Sequence, residues 1–459
     1  MSVRVKDMTS GTPWKELLTF ALPLMLGNVF QQLYTVMDSI IVGQGIGVNA
    51  LAALGAADWF NWMVIGMATG FSQGFSILIA QQFGAKDYAS MRKTVAASYV
   101  LSLVMAVIFT IVMQLCALPV LNFLNTPEHI IGDSLSYLRV SFAGLIVVMA
   151  YNMLASVLRA LGDSKTPLIA MVIAALINIV LDIFFVMGLH MGVASAAAAT
   201  VIAQVFSAFY CFLAIRRLTI LKLCRSDWTV NGRQLGHLML LGAPMAFQNV
   251  IIAIGGMVIQ SVINKFGLLF VAGFTATNKL YGLLEVAATS FGFSMTTYTG
   301  QNLGAGKIRR ISQGMRSALV MAFITSEIIA LVMIFFGKYI LMLFISGSPS
   351  EVDAVLDIAY HYLFIMSVPL FILYILHMVR SGIQGMGDTI IPMISGITEM
   401  VMRVCVVLIL PRFFGQESVY FAEVAAWIGA DVILVSAYFF KMRKLNNYSA
   451  RSAHLPRRP

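Results

Sequence analysis

Of the 459 residues 59% are hydrophobic and only 11% are charged, which excludes a soluble globular domain and points to an all-α polytopic membrane protein. The formal net charge of +10 could suit nucleic acid, but Lys and Arg gather in alternate short segments between long apolar runs. That is the pattern of cytoplasmic loops, so no nucleic-acid partner is expected and the lipid bilayer takes its place.

The chain begins MSVRVKDMTSGTPWKELL, with charges and a Pro but no small-residue cleavage site after a short apolar core, so no cleaved signal peptide is predicted. The first apolar run contains QQLYTVMDSIIVG (31–43), and Asp38 lies fifteen residues after Pro23. Helical spacing puts Gln31, Tyr34 and Asp38 on one face, a polar strip that requires water or another helix. Pro23 lacks the donor for a helical hydrogen bond, which makes it a candidate hinge or a static kink.

Further runs start near residues 52, 94, 134 and 167, each compatible with the roughly 20 residues that cross a bilayer core. The fifth, VIAALINIVLDIFF (172–185), sets Asn178 and Asp182 four apart on one face. The sixth starts near 193 and contains ASAAAATVIAQVF, where Thr200 and Gln204 repeat that spacing among small residues that permit close helix approach. An ionisable residue deep in a span costs about 2.5 to 3.5 kcal/mol on insertion scales and tends to face a cavity or a partner. Two carboxylates brought close in a low dielectric cannot both stay charged, so a proton or Na⁺ would join the site, with Asp38 and Asp182 as its ligands. The alternative is that each Asp separately hydrogen-bonds a backbone carbonyl or hydroxyl and only holds helices together.

A basic segment, RRLTILKLCRSDWTVNGRQ (216–234), precedes six more runs starting near 235, 272, 315, 354, 391 and 419, for about twelve helices in all. Glu285 shares its run with Asn278, Thr289, Thr296 and Thr297. Glu399 and Arg403 lie four apart in the favoured orientation of a helical ion pair and are expected to neutralise one another. Asp431 is read as a satisfied helix contact. The four cysteines lie far apart without metal spacing and read as packing residues.

The second half repeats the first. RALGDSKTPLIAM (159–171) aligns with QGMGDTIIPMISG (384–396) at a shift of 225, AQQFGAKD (80–87) with GQNLGAGK (300–307) at 220, and ALPLMLGN (21–28) with GAPMAFQN (242–249) at 221. The chain therefore reads as two homologous six-helix bundles, 1–225 and 226–459. An even number of helices per bundle makes the repeat parallel, and the alternate basic loops put both termini in the cytoplasm, an arrangement in which transporters place the substrate path between bundles. GMGD (385–388) fits the GxGD pattern of intramembrane aspartyl proteases, but its copy in the matching basic loop reads as a helix start capped by Asp163. No HExxH, GxSxG or phosphate-binding loop is present. No enzymatic activity and no cofactor are expected.

ALPLMLGNVFQQLYTVMDSIIVG, AQQFGAKD, LRALGDSKTPL, NIVLDIFF, GQNLGAGK and GMGDTIIPM, in this order and in duplicate, resemble the MATE (multidrug and toxic compound extrusion) family of the MOP flippase superfamily. The resemblance implies a V-shaped antiporter of the cell membrane, expected as a monomer, that exports organic cations in exchange for H⁺ or Na⁺. It is greatest to the DinF-like group, whose kink proline, first-helix Tyr and acid match Pro23, Tyr34 and Asp38. That group's Asn, Asp and Thr of the fifth and sixth helices match Asn178, Asp182 and Thr200. MepA-like drug exporters are also similar. The NorM-like group carries an acid eight residues past the seventh-helix proline, where this chain has Ile252. Gln31, Gln204, Glu285, Glu399 and Arg403 are the candidate substrate path. A lipid-linked precursor flippase is the rival reading and would require several Arg and Lys for pyrophosphate, whereas Arg403 is the one deep base identified from the sequence.

Overall fold

The computed structural model describes residues 5–124, 126–229, 231–343, 345 and 349–453. Arg4, the basic tail past 453, and residues 125 and 346–348 of two base-poor loops lie outside the described residues. The described chain is helical and has no strand, as a bilayer demands of a backbone that must satisfy its own hydrogen bonds.

In chain order the helices are α1 Pro13–Gly45, α2 Val48–Gly84, α3 Tyr88–Phe123, α4 Glu128–Ala143, α5 Leu145–Ala160, α6 Lys165–Asp182 and α7 Ala194–Arg216. There follow α8 Gly232–Ile263, α9 Leu268–Gly304, α10 Ile308–Met342, α11 Pro349–Ser367, α12 Leu370–Gly385, α13 Ile390–Ile409, the one-turn α14 Pro411–Phe414, and α15 Ala422–Ala453. Among the described residues, nine helices are long and apolar enough to cross a membrane singly, and two bent pairs, α4 with α5 and α11 with α12, can each cross as one broken span. At 37 residues α9 has the length for a twelfth.

The two bends, 47° and 50°, share one position of the repeat, because Gly144 and Pro369 are 225 apart. Different chemistry makes the same break. Gly144 has no side chain to obstruct α7, where a Cβ would meet Val201 Cγ2 at 2.3 Å, whereas Pro369 has no N–H for the helix ladder. The duplicated GD loops match as well: Gly162 and Gly387 take φ of +82° and +86°. A Cβ at Gly162 would also meet the Lys6 carbonyl oxygen at 2.2 Å, so glycine is required there twice over. Asp163 then accepts from the backbone N–H of Lys165 and Thr166 and from the Thr166 hydroxyl. Asp388 accepts from Ile390 and Ile391 N–H and from Lys441 Nζ at 2.6 Å. Both aspartates are helix caps.

The chain divides into two compact units, Met1–Asp7 with Leu22–Val250, and Met8–Ala21 with Ile251–Pro459. These units do not follow the 225/226 division. The start of α8 belongs to unit 1, where a Cβ on Gly74 of α2 would meet Gly242 Cα at 2.4 Å and where Asn249 Nδ2 donates to the Gly66 carbonyl at 2.7 Å. The segment Met8–Ala21 belongs to unit 2, where Gln301 Oε1 accepts from Met8 N–H, Arg310 donates to the Met8, Ser10 and Gly11 carbonyls, and Ser294 donates to the Leu17 carbonyl. Backbone contacts of this kind leave no mark in hydrophobic periodicity.

In unit 1, α2 packs on α3, α4 and α5, and α7 packs on α5 and α6, around Phe60, Phe75, Leu138, Phe142 and Met149. In unit 2, α9 packs on α10, α11 and α12, and α15 packs on α12 and α13. Large apolar side chains such as Leu115 on α3 and Phe335 on α10 stand exposed. This is the surface of a protein whose solvent is lipid.

Candidate functional site

Asp38 lies seven residues before the end of α1, about 10 Å along the axis. Asp182 is the last residue of α6, where the α-helix widens into a π-helical turn, Ile183–Gly188. Such turns recur at functional sites because they re-aim side chains within a continuous helix. Val186 of this turn is fully buried, and a Cβ on Gly45 at the end of α1 would stand 2.5 Å from its Cγ1. The missing side chain at Gly45 thus lets the end of α1 close up on the π-helical turn.

Asp38 and Asp182 lie close enough to act on one another electrostatically. Asp38 Oδ1 and both oxygens of Asp182 are buried, and no protein donor reaches them. Asn178, one turn before Asp182, lies beside it and donates through Nδ2 to Thr200 Oγ1 at 3.2 Å, so the i, i+4 pair read from the sequence does share a face. Tyr34 lies within the field of both acids. Gln31 is exposed. Gln204, one turn past Thr200, has a buried Oε1 with no hydrogen bond.

The structure adds two residues that the sequence did not single out. Tyr137 on α4 and Asp58 on α2 both act electrostatically with Asp38. Asn61 three residues past Asp58, and Asp133 and Ser141 four residues either side of Tyr137, were the helical-spacing signals that could have marked them. The donors gathered here are carboxyl, hydroxyl and amide groups, a hard-oxygen set suited to H⁺ or Na⁺ rather than to a transition metal. Among the described residues no group of three or more His, Cys, Asp and Glu is placed to hold a metal ion.

Unit 2 departs from the expectation at Glu399 and Arg403. Arg403 engages mainly Glu423: its Nε donates to both carboxylate oxygens at 3.1 Å and its Nη2 to Oε2 at 2.8 Å, whereas Glu399 Oε2 is at 3.5 Å. Glu399 instead receives Arg380 Nη2, which also donates to Ser395 Oγ at 3.2 Å. A two-residue helical pair is therefore a four-residue chain, Arg380, Glu399, Arg403 and Glu423, drawn from α12, α13 and α15. Arg403 is not alone as a deep base, because Arg380 is 7% exposed. Both guanidinium groups are engaged by carboxylates, which removes them as a pyrophosphate cradle.

Glu285 has a partner on α12, where His377 Nε2 stands 3.3 Å from its Oε1. Asp431, expected to be satisfied, has a buried Oδ1 without a hydrogen bond. At the 225 shift Arg380, Glu399 and Glu423 align with Ala155, Ala174 and Ala198, so the repeat gave no hint of this network.

The MatE family matches the chain twice, at residues 23–184 and 244–409. The chain is 30% identical to the probable multidrug resistance protein YpnP of Bacillus subtilis over 355 residues, 77% of this chain and 78% of that one. Among solved structures it superposes on a MATE protein in complex with MaL6 with a TM-score of 0.89 at 25% identity, covering 96% of this chain and 99% of the other. A MOP superfamily transporter from Pyrococcus furiosus, described as having a binding pocket of reversed polarity, gives 0.90 at 24% over 97% and 99% of the two chains and speaks to the fold alone. With both halves matched, the chain belongs to the MATE family of multi-pass membrane multidrug efflux transporters, which are transporters and not enzymes.

Proposed function

We propose that this transporter is an antiporter of the plasma membrane that exports lipophilic organic cations in exchange for a small cation, H⁺ or Na⁺, taken up between Asp38 and Asp182. The observation that carries this reading is three buried carboxyl oxygens, from Asp38 and Asp182 on separate helices of unit 1, that no protein donor satisfies, on two acids close enough to act on one another electrostatically. A proton shared between them, or a Na⁺ held by both with Asn178 and Thr200 nearby, would relieve like-charge repulsion in a low dielectric. With the small cation bound the pocket loses its negative charge and its hold on a cationic substrate weakens; with the site empty of it the charge returns. Substrate and coupling ion thus compete for one charge, which is the physical requirement for exchange. Pro23 lies where α1 passes from unit 2 into unit 1, a location that suits a hinge driven by occupancy of the site.

The test is uptake of a fluorescent lipophilic cation into inside-out vesicles under separately imposed pH and Na⁺ gradients. The wild type is expected to respond to one gradient, and Asp38→Asn and Asp182→Asn to lose at least tenfold of that response. Full gradient-driven transport by Asp38→Asn would overturn the assignment.

A further inference from the structure

One feature of the repeat is built differently in its two copies. In unit 2 the segment ahead of α1 is pinned to α9 and α10 by Arg310, which donates to the Met8, Ser10 and Gly11 carbonyls, and by Lys307, which donates to the Thr9 carbonyl. At the 221 shift the matching residues of unit 1 are Thr229, Asn231 and Gly232, at the entry to α8, in place of Met8, Ser10 and Gly11. The pinning arginine has no counterpart: at the 220 shift position 310 matches Ser90, whose N–H is taken by the Asp87 cap of α3. In unit 1 the entry segment does not fill its slot, and Thr229, Asn231 and Gly232 line a cavity of about 800 Å³.

The other walls of this cavity are basic. Lys93 comes from the first turns of α3, and Arg233 and His237 are four apart on α8 and so share a face. Among the described residues no hydrogen bond or ion pair engages these three side chains. The two acids nearby are exposed or spent: Asp87, which feels Lys93, faces solvent and caps α3, and Asp227 stands 3.5 Å from Arg92 and accepts from Cys224 N–H. The floor is neutral and fixed. Thr94 is fully buried and accepts from Gln234 Nε2 at 3.1 Å, which ties the first turn of α8 to α3. Gln82 of α2, the counterpart of Asn302, has a buried Oε1 without a hydrogen bond, whereas Asn302 accepts from Arg310 and donates to the Met8 carbonyl. The Gln82 amide can turn to offer its N–H₂ instead. A compact ammonium, a guanidinium fork and an imidazole around a space of small-molecule size form the donor set of an oxyanion site.

We propose that this cavity of unit 1 binds a phosphate oxyanion, held by Lys93 and Arg233 with His237 and Gln82 completing its hydrogen bonds. The anion does in unit 1 what the Met8, Ser10 and Gly11 carbonyls do in unit 2: it supplies acceptors to basic side chains and fastens the entry segment of one helix to the two helices beside it. Lys93 and Arg233 lie in basic loops expected to face the cytoplasm, so the oxyanion belongs either to the headgroup of an anionic lipid of the inner leaflet or to a free phosphate compound. The proposal goes beyond the coupling role of Asp38 and Asp182 and does not rest on it.

The test is thermal unfolding of the full chain in dodecyl maltoside, a detergent without phosphate, at constant ionic strength. One arm is titrated with inorganic phosphate and the other with short-chain phosphatidic acid; chloride and the matching phosphatidylcholine are the controls. A ligand that binds only the folded chain raises the melting temperature with its concentration, and the wild type is expected to be stabilised saturably. A response in both arms assigns free phosphate, and a response to phosphatidic acid alone assigns the lipid headgroup. Lys93→Gln and Arg233→Gln, both at exposed positions, are each expected to weaken the apparent affinity at least tenfold, whereas Lys222→Gln on the same linker is expected to leave it unchanged. Absence of saturable stabilisation in both arms, an equal response to phosphatidylcholine, or the same affinity in Lys93→Gln and Arg233→Gln as in Lys222→Gln would overturn the proposal. A basic surface that is only solvated gives the first or the last of these results.

Discussion

Asp38 and Asp182 can face each other only if something positive is shared between them or if one gives up its charge. Near them, two helix ends pack closely at a residue with no side chain. Gly45 allows the turn carrying Val186 to seat on the end of α1, and Val is stiff at χ1 and cannot swing aside. Gly45→Ala is therefore expected to lower thermal stability by about 1 to 3 kcal/mol and to cut transport several-fold, although it touches neither acid. Thermal melting in detergent alongside vesicle transport checks both effects, and a fully active Gly45→Ala would mean that the approach of the two helix ends is not needed.

At the scale of the element, interruptions of helices matter more than their lengths. Pro23 has no N–H to make a helical hydrogen bond at the point where α1 leaves unit 2 for unit 1. Pro23→Ala is expected to restore that hydrogen bond, slow turnover several-fold and leave equilibrium binding of the fluorescent cation unchanged. Equal loss of binding and turnover would count against a hinge. The start of α6 is fixed differently, by the three hydrogen bonds that Asp163 accepts. Asp163→Ala is expected to cost about 1 kcal/mol of stability, the usual loss for an N-cap, and to lower the melting temperature without altering coupling-ion preference. A GxGD protease aspartate would behave in the opposite way, with stability kept and activity gone.

For the whole molecule, the alternation of basic and base-poor loops predicts cytoplasmic termini, and with them a cytoplasmic linker between α7 and α8. That linker carries Cys224, which is exposed, whereas Cys211 is buried and Cys405 lies within the span of α13. A membrane-impermeant maleimide is expected to label the protein in inside-out vesicles and not in intact cells, with Cys224→Ser removing the signal. Labelling of intact cells at Cys224 would reverse the topology. The units follow the same duplication: unit 2 takes in the first turns of α1, and unit 1 takes in the first turns of α8.

Some of this protein was fixed by its sequence because the responsible interactions are local. Helix content and span number follow from apolar run length, the face shared by Asn178 and Asp182 from helical spacing, and the capping roles of Asp163 and Asp388 from a duplicated loop. The family followed from motifs in order. What tertiary structure decided depends on groups distant in the chain. Asp38 faces Asp182 across 144 residues, Arg380 rather than Arg403 holds Glu399 most closely, and the first turns of α1 and α8 join the opposite units. Periodicity within one helix specifies which way a side chain points but not what the neighbouring helix presents to it. For that reason the buried charge network of unit 2, assembled from four helices, was legible only in part as Glu285, Glu399 and Arg403.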